Sequence, residues 1–105
     1  MQIKRYQDLA SRTLTDDAEK TMPYFGLAGE CGEIIDYMKK VYFHGHEFNR
    51  MELVKECGDV LWYLAAICTM NNINLEEVAT RNIAKLRKRY PNGFESDKSI
   101  NRGDD

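Results

Sequence analysis

The sequence has little proline and no long apolar run. Its 105 residues include 2 Pro, and the apolar stretch from Val60 to Cys68 is too short to cross a membrane. Residues 1–5 lack the apolar segment of a signal peptide, so we expect a cytoplasmic protein without membrane association. None of its 3 Cys stands in a zinc-binding spacing, and we therefore expect reduced thiols.

Neither sign of charge dominates the chain. Its net charge is −2, so it lacks the basic excess of a protein that binds nucleic acid, and we expect no such partner. The length predicts one domain with a modest core, and the 43% of apolar residues is usual for a globular protein. Small helical proteins often complete such a core by oligomerising.

Apolar residues recur at spacings of three and four, which predicts an all-α fold. The expected elements are a short helix over 2–11, a second from Pro23, a third capped by Asn49 and a fourth over 74–90. Short connections favour an antiparallel bundle of these four helices, with its core completed by homo-oligomerisation. Residues 1–94 would form the domain. Residues 95–105 are polar, and their composition predicts a disordered tail.

One helical pattern occurs twice, 26 residues apart. Glu30-Cys31-Gly32-Glu33 aligns with Glu56-Cys57-Gly58-Asp59. In both copies the acids lie three residues apart, at the edge of the apolar stripe, and so are neighbours on the helix surface. Antiparallel packing of the two helices would bring all four carboxylates into one cleft.

Four carboxylates this close repel one another, and their desolvation adds to the cost. Divalent cations with oxygen ligands, above all Mg²⁺, would offset that charge, and two such ions can bridge a polyphosphate and activate water. A single Glu-x-x-Glu usually lies on the solvated face of a helix. Two copies in register fit that explanation less well. Gly32 and Gly58 indicate either a close approach to the backbone or clearance for helix packing.

The combined motif resembles the signature of the MazG-like all-α nucleoside triphosphate pyrophosphohydrolases. Glu-x-x-Glu is followed about two dozen residues later by Glu-x-x-Asp, and then by Asn-x-x-Lys-x-x-x-Arg-Tyr-Pro over 82–91. The resemblance covers residues 24–94. It implies a Mg²⁺-dependent helical dimer or tetramer, with Mn²⁺ able to substitute. Such a protein hydrolyses nucleoside or deoxynucleoside triphosphates to the monophosphate and pyrophosphate.

Roles follow from the resemblance residue by residue. Glu30, Glu33, Glu56 and Asp59 would be metal ligands, and Glu33 or Glu56 would also orient the attacking water. The expected substrate-binding residues are Asn82, Lys85, Arg89, Tyr90, Gln7 and Arg102. Gln7 would line a base pocket, and the tail would fold over the site so that Arg102 reaches a phosphate. The basic residues of the fourth helix also fit a solvated face.

Narrower and non-enzymatic functions stay open. One is a preference for dUTP or dCTP, and another is phosphoribosyl-ATP pyrophosphohydrolase activity, because that enzyme has a related four-acid helical core. The third is a non-catalytic helical module that binds a divalent cation or a partner. The basic and amide side chains of the fourth helix favour an enzyme, since a structural metal site does not need them.

Overall fold

The computed structural model describes residues 1–15 and 21–101. Its elements are α1 (Ile3–Ser11), α2 (Met22–Phe43), α3 (Arg50–Met70), α4 (Leu75–Arg89) and α5 (Ser96–Ile100). The all-α prediction is confirmed, and the four expected helices lie close to their predicted positions. Within the described ranges, the helices are too short or too polar to cross a membrane.

Asparagine side chains begin two of the long helices. Asn49 accepts a hydrogen bond from the Met51 amide at 3.0 Å, and Asn74 accepts one from the Glu76 amide at 2.9 Å. Each bond satisfies a backbone donor that the first turn leaves without a partner. Pro23 occupies the first turn of α2, where its missing amide hydrogen is tolerated.

The helices α2 and α3 form an antiparallel hairpin. α1 packs on α3, and α4 packs on α1. The turn of the hairpin is held by Tyr37, whose hydroxyl accepts from the Asn49 amide at 2.6 Å and donates to the Asn49 carbonyl at 3.1 Å. These bonds fix the start of α3 beside the second half of α2.

The core of the described chain is small. Its buried apolar residues are Ala65, Ala66, Cys68 and Leu75. Several positions that the periodicity places on the apolar stripe are instead exposed, namely Cys31, Ile35, Leu61 and Leu64. The stripes of α2 and α3 are therefore wider than the surface that α1 and α4 cover in one described chain.

A short helix, α5, lies in the segment for which composition predicts disorder. It spans Ser96–Ile100 and has Asp97 in its first turn, where a negative charge interacts favourably with the helix dipole. The structure thus differs from the expectation over these residues, because composition does not register where along the segment an acidic residue such as Asp97 stands. Arg102 lies outside the described residues.

Candidate functional site

Three carboxylates from α2 and α3 meet in the groove between the two helices. One oxygen from each of Glu30, Glu56 and Asp59 lies within 4.8 Å of the others. Glu30 and Glu56 are partly buried and Asp59 is exposed. Because Glu30 and Glu56 are equivalent in the repeat, the antiparallel hairpin brings them to the same level. The structure brings together three of the four residues expected to bind metal.

The fourth acid, Glu33, lies one turn beyond Glu30 on the exposed side of α2. Its charge contributes to raising the pKa of Glu30, which places it near the group although its oxygens are outside the set of three. The role of Glu33 as a ligand stays a prediction, as does the choice between Glu33 and Glu56 for orienting water.

The electrostatics of the site favour a bound cation. Burial raises the pKa of Glu30 above its ordinary value of 4.5, and the charges of Asp59, Glu56 and Glu33 raise it further. Mg²⁺ holds oxygen ligands at about 2.1 Å, so ligands on opposite sides of the ion lie about 4.2 Å apart. Neighbouring ligands lie about 3.0 Å apart, so side-chain rotations would bring the three oxygens, now within 4.8 Å of one another, into one coordination shell. The donor set therefore fits a hard divalent cation, which the protein would bind with carboxylates and water.

A mostly apolar cavity of about 510 Å³ lies between α1, α3 and α4. It is lined by Met1, Gln2, Ile3, Tyr6, Leu61, Leu75, Val78, Ala79 and Asn82. Burial raises the pKa of Tyr6, and the charge of Asp59 raises it further, so this residue of the cavity wall lies within electrostatic range of Asp59. The volume lies in the range of small-molecule sites, which combine apolar walls with a few polar groups.

The predicted substrate-binding residues of α4 occupy different surroundings. Asn82 lines the cavity, whereas Lys85 is exposed to solvent. Arg89 and Tyr90 are partly buried, and the guanidinium carbon of Arg89 lies 5.7 Å from the centre of the Tyr90 ring. Tyr90 also packs against Phe94, with ring centres 5.2 Å apart. Their roles in binding substrate stay predictions.

Gln7 is buried and its amide is engaged by the connection between α3 and α4. Its nitrogen donates to the Ile73 carbonyl at 2.9 Å and to the Thr69 hydroxyl at 3.3 Å. Its oxygen accepts from the Leu75 amide at 2.8 Å. These bonds give Gln7 a structural function that the sequence interpretation did not include, and its role in a base pocket stays a prediction.

The close approach of the two helices occurs at a different glycine from those singled out by the repeat. In the described chain, no atom from another element lies within 4 Å of a Cβ built on Gly32 or Gly58. A Cβ on Gly26 would instead overlap the ring of Tyr63. Trp62, the neighbour of Tyr63, donates to the Thr13 hydroxyl at 2.7 Å and so ties the segment after α1 to α3.

Comparison with known proteins links this geometry to one family. The sequence profile described as the MazG nucleotide pyrophosphohydrolase domain matches residues 17–94. The gene 37 protein of Mycobacterium phage L5 is 38% identical over 72 residues, which is 65% of this chain and 63% of the phage protein. The chain thus matches less than two-thirds of that relative's length. No solved structure gives a significant match.

Proposed function

Since this chain belongs to the MazG nucleotide pyrophosphohydrolase domain family, we propose that it hydrolyses nucleoside triphosphates to the monophosphate and pyrophosphate with Mg²⁺. The observation that carries this proposal is the meeting of Glu30, Glu56 and Asp59 in one groove. Glu33, one turn away, would complete the ligand set. Mn²⁺, which also takes carboxylate oxygens, would substitute for Mg²⁺.

The carboxylates would have two roles, binding the metal and accepting a proton from the attacking water. When bound, a divalent cation would supply positive charge to the phosphate oxygens and lower the pKa of a water molecule. Glu33 is exposed beside the group, so its carboxylate would accept a proton from the attacking water, with Glu56 as the alternative. Lys85, Arg89 and the tail residue Arg102 would neutralise the remaining phosphate charge.

The cavity between α1, α3 and α4 would receive the nucleoside part of the substrate. Its apolar walls suit the faces of a base or sugar, and the side chains of Tyr6 and Asn82 provide polar groups at the wall. The same arrangement is compatible with canonical substrates and with a dUTP or dCTP preference. Turnover on a panel of nucleoside triphosphates distinguishes these preferences.

The test is product analysis on canonical and modified nucleoside triphosphates, with and without Mg²⁺. We expect equal amounts of monophosphate and pyrophosphate, only when the cation is present. Glu56→Gln and Asp59→Asn should each lower turnover at least roughly 10- to 100-fold. Replacing a residue that only supports a metal ligand usually costs that much, and replacing a ligand itself should cost no less. Glu76→Gln, an exposed first-turn acid of α4, is the matched control. Unchanged turnover in both acid variants would show that the site is assigned wrongly.

We also propose that the protein is a homodimer or homotetramer. Phe25 and Ile35 on α2 are 75% and 70% exposed, and Val78 and Ile83 on α4 are 45% and 46% exposed. A second copy of the chain would cover these side chains, as oligomerisation often does in small helical proteins. Light scattering coupled to gel filtration should give a multiple of 12.2 kDa, and Ile35→Glu should lower it. A wild-type monomer would refute the assembly.

We further propose that the tail, residues 95–105, folds over the active site. If Arg102 reaches a phosphate, removal of residues 95–105 should raise KM for the triphosphate and leave the domain 1–94 folded. Arg102→Ala alone should give most of that increase. An unchanged KM in both variants would separate the tail from the site.

A further inference from the structure

The ring of Tyr63 lies directly on the backbone of α2 at Gly26. A Cβ added to Gly26 would overlap three ring atoms, of which the most distant, Cδ1, would be 2.7 Å away. Real Cβ atoms essentially never approach another atom closer than 3.0 Å. A side chain at position 26 would therefore force the ring or the helix to move. The bare backbone of Gly26 is what allows α2 and α3 to approach so closely here.

This contact lies one helical turn from Glu30 and Asp59. Gly26 precedes Glu30 by four residues, and Tyr63 follows Asp59 by four. At about 1.5 Å of rise per residue, the contact is about 6 Å from Glu30 along α2 and about 6 Å from Asp59 along α3, and Glu56 lies about one turn further along α3. The spacing of the helices at the contact is thus transmitted to the acids over one to two helical turns.

A second tyrosine holds the hairpin on the other side of the acids. Tyr37 occupies the position in the repeat that corresponds to Tyr63, and its hydroxyl is bonded to the Asn49 backbone at both the amide and the carbonyl. The carboxylates of Glu30 and Glu56 therefore lie between two contacts, each made by one of the two tyrosines that are equivalent in the repeat. One contact is polar, at the closed end of the hairpin, and the other is steric, at its open end.

We propose that Tyr63 seated on Gly26 is a positioning pair that sets the separation of the carboxylates and hence the affinity for the divalent cation. The proposal rests on the proposed function, since it takes Glu30, Glu56 and Asp59 as ligands. Mg²⁺ demands a near-ideal octahedral arrangement, so a displaced helix would separate Glu30 from the two ligands on α3. Losing support outside the ligand shell typically lowers metal affinity roughly 10- to 100-fold.

The test is a titration of the full chain with Mn²⁺, in which electron paramagnetic resonance measures the concentration of free Mn²⁺. Gly26→Ala should weaken binding roughly 10- to 100-fold. Gly29→Ala is the matched control, because it lies on the same helix and gains the same helix propensity. Its chain neighbours and own helix backbone aside, its Cβ would meet no described atom within 4 Å. Thermal unfolding of each variant separates a loss of affinity from a loss of fold.

A double-mutant cycle ties the effect to the ring. In a Tyr63→Ala background, adding Gly26→Ala should change affinity by less than about twofold, because the overlapping atoms are gone. Tyr63→Phe keeps the ring and should bind Mn²⁺ like the wild type. If Gly26→Ala does not fold, Tyr63→Ala must bind weakly where Tyr63→Phe binds normally.

Three results would overturn the proposal. One is wild-type affinity in Gly26→Ala, and another is an equal loss in Gly26→Ala and Gly29→Ala. The third is a wild type that binds no Mn²⁺, which would refute the proposed metal centre and this inference with it. The wild-type titration alone identifies that third case.

Discussion

Replacing Gln7 with leucine should destabilise the fold before it affects any substrate. The substitution places an apolar side chain of comparable size there and removes the acceptor of the buried Leu75 amide and the donor to the Ile73 carbonyl. Leaving a buried donor without a partner costs about 1–3 kcal/mol, and losing a hydrogen bond at a partly buried carbonyl costs about 1 kcal/mol. The expected loss is therefore about 2–4 kcal/mol, a large share of the roughly 5–15 kcal/mol that stabilises a typical domain.

Urea unfolding at one fixed protein concentration measures this loss, since oligomerisation makes stability depend on concentration. Gln2→Leu is the matched control, because Gln2 is exposed and makes no side-chain capping bond to α1. A Gln7→Leu protein within about 0.5 kcal/mol of the wild type would refute the structural role. If that protein also showed a raised KM, Gln7 would belong to substrate binding instead.

Three further outcomes follow from the site and its supports. The folded-state pKa of Glu30 is raised, so its contribution to stability is present below pH 4.5 and is lost as the pH rises through the folded-state pKa. At pH 7, without metal, Glu30→Gln should therefore have a higher melting temperature than the wild type. Added Mg²⁺ should raise the melting temperature of the wild type and leave that of Glu30→Gln nearly unchanged; equal shifts would contradict the ligand assignment. A double-mutant cycle of Trp62→Phe and Thr13→Val in urea unfolding should give a coupling energy of about 0.5–1.5 kcal/mol, the worth of the hydrogen bond between them, and a coupling near zero would contradict that bond.

The helices and the carboxylate group were predictable because they depend on local periodicity and on a repeat. The spacing of three within each acid pair, and the equivalence of Glu30 with Glu56, need only antiparallel packing to bring the acids together. The caps at Asn49 and Asn74 are likewise local features of the chain.

Contacts between distant residues were not predictable from one sequence. The bond from Gln7 to Leu75 spans 68 positions, and nothing in the local pattern of α1 indicates it. The repeat directed attention to Gly32 and Gly58, whereas close approach occurs at Gly26, because the partner ring comes from a residue on the facing helix. Periodicity also marked Ile35 for burial, but it cannot tell whether the covering surface belongs to the same chain.

A crystal structure of the protein soaked with Mn²⁺ tests the central claim most directly, through the anomalous signal of the metal. We predict a peak between the carboxylates of Glu30, Glu56 and Asp59, with the Glu33 carboxylate turned toward it. A peak elsewhere, or these side chains turned toward separate surfaces with no metal between them, would contradict the account.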